Sequence, residues 1–156
     1  MEVLWAIAGA VAGAAILALL GWAVFGRRSL VEDLPQVINR FQHQRASLER
    51  ELFRRAAASG RPRGLRWKNC DFDPQVTLAR QRDDQSILAF VGVTISFEAI
   101  PGGPMEDVEA VGNLRAGTVV FTYERGQWKT DGRVLFNLDP QDALRRYEGR
   151  VEIIER

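Results

Sequence analysis

The sequence predicts an α+β protein: one N-terminal transmembrane helix, a long amphipathic helix packed on a four- to five-stranded antiparallel sheet, and a short C-terminal helix. Three observations lead to this class. The run Val3–Phe25 has 23 residues without a charged side chain. Apolar residues then recur three, four or seven positions apart, which is the spacing of one helix face. From Leu65 onward they alternate with polar residues, which is the period of a strand.

Length and composition limit the classes of function. A chain of 156 residues is long enough for one domain and a small accessory element. The net charge of +1 gives no global field that would favour nucleic acid or an acidic substrate. The single cysteine, Cys70, excludes an internal disulfide and a multi-cysteine zinc site, and His43 is the single histidine. We therefore predict no cofactor and no nucleic-acid partner.

The uncharged run predicts a bilayer anchor formed by residues 3–25. At ~1.5 Å per residue its length matches the ~30 Å hydrocarbon core of a membrane. Trp5 and Trp22 lie near its ends, where indole rings prefer the membrane interface, and Arg27 and Arg28 follow directly. A cleaved signal peptide is the competing interpretation, but no basic residue precedes the run, and signal peptides have shorter apolar regions.

The flanking charges predict the orientation of the anchor. Lys and Arg stay on the cytoplasmic side, and here they flank only the C-terminal end of the run. We therefore expect the N-terminus outside and the remaining domain in the cytoplasm. Gly9 and Gly13 lie four positions apart, a spacing that lets two membrane helices approach closely, so self-association through this face is a further hypothesis.

These patterns divide the chain into an anchor (1–28), an amphipathic helix with its linker (29–62) and a sheet domain with a C-terminal helix (63–156). Asp33, Leu34 and Pro35 are typical of a helix start, and Gly60 and Pro62 of its end. The apolar stripe predicted to face the sheet is Leu34, Ile38, Phe41, Leu48, Leu52 and Ala56.

Six basic residues follow one another with no acid between them: Arg54, Arg55, Arg61, Arg63, Arg66 and Lys68. Three interpretations are open. The cluster is a solvated surface, a contact for anionic lipid headgroups, or a contact for a protein partner. Nucleic acid is not favoured, because only Trp67 is an adjacent aromatic residue and no recognition motif accompanies it.

Alternation predicts strands around residues 65–68, 76–80, 86–100, 119–123 and 134–138. In the first half of the longest one, Leu88 and Phe90 add apolar residues to the second face, so both faces should be covered there. Turn residues Asp73-Pro74, Asp83-Asp84 and Arg125-Gly126 predict short antiparallel connections. Asp139 and Pro140 should cap and start the C-terminal helix.

The order of a helix followed by antiparallel strands resembles cystatin-like and NTF2-like α+β domains, and the hairpin "TVVFTYERGQWKTDG" resembles their final hairpin. The segments "GRPRGLRW", "GGPMEDVEAVGNLR" and "FNLDPQDA" resemble an uncharacterised family of small, N-terminally membrane-anchored bacterial proteins. The resemblance implies this architecture and a place in the bacterial inner membrane. It implies no activity and no site residues.

The acidic loop, residues 101–117, is the main candidate for chemistry. Together with Glu98 it offers Glu106, Asp107 and Glu109 as oxygen ligands for Ca²⁺ or Mg²⁺, or as paired carboxylates. The spacing does not match the EF-hand pattern. We favour a structural connection in which Met105, Val108 and Val111, three positions apart, point inward. Gly102 or Gly103 would then need a positive φ. A contact for a partner or ligand is a further alternative.

No Walker-type loop, nucleophile elbow, zinc-protease helix motif or dinucleotide fingerprint occurs in the sequence. We therefore expect no catalytic residues and a membrane-anchored binding or scaffold domain. The alternative is an NTF2-like pocket that binds a small ligand or hydrolyses one with carboxylates. A cavity on the concave face of the sheet with Asp or Glu projecting into it would favour the alternative.

Overall fold

The protein combines one long helix with a seven-stranded antiparallel sheet in a computed structural model that describes residues 33–59 and 64–155. Helix α1 spans Leu34–Ser59. The strands are β1 (Leu65–Phe72), β2 (Thr77–Gln81), β3 (Ile87–Ala99), β4 (Arg115–Glu124), β5 (Gln127–Lys129), β6 (Val134–Phe136) and β7 (Val151–Glu155). A 3-10 helix covers Glu109–Gly112, and helix α2 covers Pro140–Arg145.

The sheet is organised around β3, whose 13 residues are long enough to pair with two strands along one side. Residues Thr77–Arg80 of β2 pair with Ile87–Phe90, and β1 pairs with Val93–Ala99. Strand β4 pairs along the other side of β3, and β5 and β6 in turn pair with opposite ends of β4. Strand β7 extends the sheet beyond β2.

The predicted α+β class is confirmed, but the predicted number of strands is too low. Strand β7 was not predicted because Val151–Glu155 is short and has no regular alternation. Strand β5 has three residues, and the sequence pattern predicts it only as part of a hairpin. That hairpin turns at Arg125 and Gly126, which both have positive φ, 51° and 81°, as a two-residue hairpin turn requires.

Helix α1 buries one of its sides against one face of the sheet, which we call the first face. Phe41, Leu48, Leu52 and Ala56 are buried as predicted. Val37 is also buried, whereas Leu34 and Ile38 are only half-buried. The prediction missed Val37 because the indole of Trp128, far along the chain, packs near it and donates a hydrogen bond from Nε1 to the Val37 carbonyl (3.1 Å).

Alternate residues of β3 and β4 supply the sheet side of this core. Val91, Ile95, Val119 and Phe121 are fully buried, and the ring of Phe121 meets Phe41 edge to face with 5.6 Å between centroids. Such large apolar side chains each contribute ~1.5–3 kcal/mol to the free energy of unfolding when fully buried. Helix α1 therefore fills the first face.

The second face of the sheet carries a smaller core, as the pattern of Leu88 and Phe90 predicted. These two residues and Ala79 are buried against Ala143 and Leu144 of α2. The start of α2 is also as predicted: Asp139 accepts a hydrogen bond from the Asp142 amide (2.7 Å), and Pro140 is the first helical residue. Both faces of β3 are thus covered in its first half.

The predicted membrane span, residues 3–25, lies outside the described residues, as do Trp5, Trp22, Arg27 and Arg28. No helix within residues 33–59 and 64–155 is long and apolar enough to cross a membrane.

A glycine sets the distance between α1 and the sheet. Gly132 has φ +79°, and a Cβ added to it would collide with Arg55 Cβ and lie 3.1 Å from the Ala56 amide nitrogen. Those neighbours belong to the helix itself, so they cannot move without moving α1. Gly149 has the same φ of +79°, but a Cβ added there would have no neighbour within 4 Å.

We predict that Gly132→Ala destabilises the domain much more than Gly149→Ala. Both variants incur about 1 kcal/mol from the positive φ. Only Gly132→Ala adds the collision with α1, and overpacking of this kind costs ~1–3 kcal/mol more. Urea unfolding followed by circular dichroism gives both free energies of unfolding. Equal losses in the two variants would show that α1 does not rest on Gly132.

Candidate functional site

Four aromatic rings from four different elements meet at one end of the sheet. We call Phe53, Trp67, Phe97 and Phe136 the aromatic end. Trp67 is central: its ring centroid lies 5.2 Å from that of Phe97, 6.0 Å from Phe53 and 6.2 Å from Phe136. The rings are tilted or edge to face, the arrangements that aromatic pairs favour.

Strand register explains how distant residues form this cluster. Trp67 of β1 is the direct partner of Phe97 in β3, so the two side chains lie on the same face. Phe136 of β6 is paired with Gly117 of β4. A Cβ at Gly117 would lie 3.0 Å from Leu135 O and Val134 Cγ1, so β6 approaches β4 closely because this residue has no side chain.

The aromatic end is partly open to solvent. Phe136 is 43% exposed, and Val108 and Leu114, in the connection from β3 to β4 at the same end of the sheet, are 39% and 65% exposed. The fourth large exposed apolar residue in the described part of the chain, Ile153 on β7, lies on a different strand edge. Three of the four large exposed apolar residues of the described chain therefore lie at the end of the sheet that carries the aromatic rings.

The sequence did not single out this cluster. The sequence pattern places Phe97 and Phe136 in strands and Trp67 beside the basic residues, and Phe53 lies next to Leu52 but off the predicted apolar stripe. Phe53 is the available signal in the sequence, because a large aromatic side chain outside the predicted apolar stripe indicates a contact with some element other than the main core. Only the strand register shows which rings it meets.

Three of the four described residues of the basic cluster are paired with acids of the same domain. Glu51 forms ion pairs with both Arg54 (2.7 Å) and Arg55 (2.5 Å). The hydrogen bond from Arg54, and to a smaller extent the one from Arg55, lower the pKa of Glu51 to about 2. Arg66 pairs with Glu98 across β1 and β3 (2.6 Å). Lys68 lies on β1 at a register shift between Trp67 and Asn69. Arg61 and Arg63 lie outside the described residues.

The acidic loop is a folded connection. Gly102 has φ +73°, and its amide donates a hydrogen bond to Glu106 Oε2 (2.7 Å). A Cβ at Gly64 would lie 3.0 Å from Pro104 Cδ and Met105 Cγ, so the loop packs against the start of β1. The prediction of a positive φ at Gly102 or Gly103 is confirmed at Gly102, and Glu106 has a structural contact.

One part of the structural interpretation of the loop is wrong. Val108 does not point inward, because it precedes the 3-10 helix in an extended conformation and is 39% exposed. Met105 and Val111 are half-buried. The three-residue spacing implied a continuous helical turn from Met105, whereas the helical residues begin only at Glu109.

The structure does not bring the candidate carboxylates together. Glu98 pairs with Arg66 and Glu106 with the Gly102 amide, while Asp107 and Glu109 are exposed. Within the described residues, no group of three or more His, Cys, Asp or Glu side chains could hold a metal ion. His43 is exposed on α1.

Cys70 lies half-buried on β1. Burial, and then the charges of Asp71 and Glu49, raise the pKa of its thiol to about 12. The thiolate is the reactive form of cysteine, so this side chain stays a neutral thiol and a poor nucleophile near pH 7.

Two cavities of ≈ 380 Å³ each open on the described surface. The helix-side cavity lies between α1 and the connection from β1 to β2. Ile38, Phe41, Val76 and Leu78 form its apolar part, and Gln42, Gln75, Thr77 and Gln141 its polar part. No charged residue of the described chain lines it.

Leu88, Val120 and Leu135 of the sheet line the other cavity, which we call the second-face groove. Charged side chains of both signs surround it, including Glu124 and Lys129, whose charged atoms are 3.5 Å apart.

Comparisons with known proteins give no match: no family model fits the chain, and neither curated proteins nor solved structures are significantly similar to it. The resemblance to anchored bacterial proteins and to cystatin-like or NTF2-like domains therefore stays a prediction.

We predict that the loop carboxylates differ in their effect on stability. Glu106→Ala removes the acceptor of the Gly102 amide and should lower the free energy of unfolding by ~1 kcal/mol. Glu109→Ala changes an exposed side chain and should stay within ~0.5 kcal/mol of the parent, as should Val108→Ala. Thermal unfolding of the three variants measures this.

The same experiment tests cation binding. An ion bound by the loop would stabilise the fold by mass action and raise the melting temperature. Because the structure does not bring the loop carboxylates together, we expect millimolar Ca²⁺ or Mg²⁺ to leave the melting temperature unchanged. A rise that disappears in an Asp107→Asn, Glu109→Gln variant would instead establish a cation site.

Proposed function

We propose that this chain is a membrane-anchored, non-enzymatic binding domain that holds a protein partner at its aromatic end. The observation that carries the proposal is the partly exposed aromatic cluster, whose Phe136 is 43% exposed, beside Leu114 at the same end of the sheet, which is 65% exposed. Aromatic residues are enriched at protein interfaces and dominate their energetics when a partner covers them.

The anchor in this proposal is residues 3–25, whose uncharged run supports a membrane span. Arg27 and Arg28 favour an outside N-terminus and a domain on the cytoplasmic side of a bacterial inner membrane. Gly9 and Gly13 support a second hypothesis, that two anchors associate within the bilayer.

The fold in this proposal is of the cystatin-like or NTF2-like kind. The order of elements supports it, because one long helix precedes the antiparallel strands and fills one face of their sheet. Fold similarity alone implies no activity, so the function is argued from the surface.

The charges near the aromatic end favour a protein partner over anionic lipid. Arg54, Arg55, Arg66, Lys68 and Arg115 are the described basic residues at this end, and Glu51, Glu98, Glu106, Asp107 and Glu109 are the acidic ones. Three of these basic residues, Arg54, Arg55 and Arg66, are paired to Glu51 and Glu98, and this pairing weakens their attraction to anionic headgroups. An apolar centre with a mixed polar rim is typical of protein interfaces.

The helix-side cavity supports a second candidate function, the binding of a small ligand. Its ≈ 380 Å³ falls within the range of known ligand pockets. Its described lining contains no carboxylate, so hydrolysis by paired carboxylates has no residues to use there.

We predict that a photoreactive phenylalanine analogue at position 136 forms a discrete crosslinked product with another protein in intact cells. The matched control is the same analogue at Ile153, which is 44% exposed but lies on β7. A partner bound at the aromatic end can react with the analogue at position 136 but not with the analogue at position 153. Leu114→Asp should reduce the product by about tenfold, because a charge would then be desolvated in the interface.

Two results would count against this assignment. Equal product patterns at positions 136 and 153 would indicate unspecific crosslinking. Strong binding of the domain to vesicles only when they contain anionic lipid, lost at high salt, would assign the surface to the membrane instead.

The orientation of the anchor gives a separate prediction. A reporter enzyme that is active only outside the cytoplasm should show no activity when fused after Arg156. The same fusion with Arg27 and Arg28 moved before Val3 should gain activity, because the flanking charges set the orientation. Strong activity of the parent fusion would overturn the cytoplasmic location.

A further inference from the structure

We propose that the helix-side cavity binds a small neutral molecule that carries an acylated amine, such as a capped amino acid or an acetamido sugar, with the acyl-amide group at the cavity mouth. The inference rests on the small-ligand function proposed above for this cavity, which is separate from the aromatic end. Phe41 and Phe53, which belong to the two sites, are twelve positions apart on α1 and thus about 18 Å apart along it.

The wall of the cavity is a fixed structure. Arg45 of α1 donates hydrogen bonds to the Pro74 carbonyl (2.9 Å) and to the Asp73 carbonyl. Its Nε is held by Glu49 (2.7 Å), so the guanidinium is oriented from both sides. The Asp73 carboxylate accepts a hydrogen bond from the Gln75 amide (2.8 Å), and the Asp73 amide donates to Gly92 O (2.9 Å).

Because this connection is tied to both the helix and the sheet, the protein's own hydrogen bonds hold the wall of the cavity in place. A ligand that enters it does not have to order the wall, which lowers the entropic cost of binding.

The lining selects against charge. Phe41 and Leu78 are buried at its base, and the polar groups beside them are amides and one hydroxyl. A charged ligand would leave water without meeting an opposite charge in the lining, which is unfavourable. A neutral ligand with an apolar portion against Phe41 avoids that penalty.

Three glutamines from three elements determine the polar chemistry. Gln42 lies on α1, Gln75 in the connection to β2, and Gln141 on α2. Each primary amide offers a donor and an acceptor, which is the complement of a secondary amide with its N–H and C=O. In the described part of the chain, none of these three side-chain amides is hydrogen-bonded to the protein, so all are available to a ligand.

The test is an NMR titration of the ¹⁵N-labelled full-length protein in nanodiscs made of uncharged lipid, with the side-chain amide signals of the glutamines as reporters. The first probe is N-acetyl-leucine amide, which is neutral and has an apolar side chain. N-acetylglucosamine carries the same acetamido group on a sugar, and N-acetyl-leucine carries the same side chain with a carboxylate. Comparing the affinities of the first two probes shows whether the cavity prefers a capped amino acid or an acetamido sugar.

We expect saturable shifts of the Gln42, Gln75 and Gln141 side-chain signals with at least one neutral probe, and about tenfold weaker binding of N-acetyl-leucine. Gln75→Met with Gln141→Met keeps the side-chain length but removes the amides and should weaken binding by about tenfold. Gln127→Met is the matched control, because Gln127 is an exposed glutamine on β5, and it should leave the dissociation constant unchanged.

The proposal is overturned by non-saturating shifts with both neutral probes, by tighter binding of the charged probe, or by a double variant that binds like the parent. None of these results bears on the aromatic end, whose test uses position 136. The backbone spectrum of the double variant shows directly whether it is folded.

Discussion

The indole of Trp128 fixes helix α1 on the sheet, and both candidate sites depend on that position. Its Nε1 donates a hydrogen bond to the Val37 carbonyl, and its ring packs against Phe41 (4.8 Å) and its cross-strand partner Tyr123 (5.2 Å). Arg40 adds hydrogen bonds to the Tyr123 hydroxyl and the Gly126 carbonyl, both 3.0 Å long. A helix held at its first turns presents Phe41 to the helix-side cavity, and about 18 Å further on it presents Phe53 to the aromatic end.

The length of β3 is the second constraint. The 13 residues of β3 make it longer than either β1 or β2, so these two strands lie end to end along the same edge of β3. The junction between them, at Asp73 and Pro74, faces α1 and becomes the cavity wall through Arg45. The far end of β3 carries Phe97 to Trp67. One strand thus positions the wall of one site and the centre of the other.

Local patterns predicted most of the elements, and contacts between distant residues decided what was missed. The helix period of Phe41, Leu48, Leu52 and Ala56 and the alternation in β3 gave the fold class, and Asp139-Pro140 gave the start of α2. Val37 was missed because its burial depends on Trp128, 91 positions away. Strand β7 was missed because pairing with β2, and not its own pattern, makes it a strand. The aromatic end was missed for the same reason, since its rings come from four elements.

Charge runs in a sequence are a weaker guide than apolar periods, and the basic cluster shows why. Apolar residues on one face must be buried together, so their spacing constrains the fold directly. A charged side chain needs only one partner, which can come from any strand: Glu98, 32 positions from Arg66, meets it through the register of β1 and β3. Once the arginines are paired in this way, an exposed ion pair contributes at most ~1 kcal/mol to binding or stability. In the interface that we propose, the affinity would then come mainly from the area that Phe136, Leu114 and Val108 can still bury, which is why we propose a protein partner rather than a layer of headgroups.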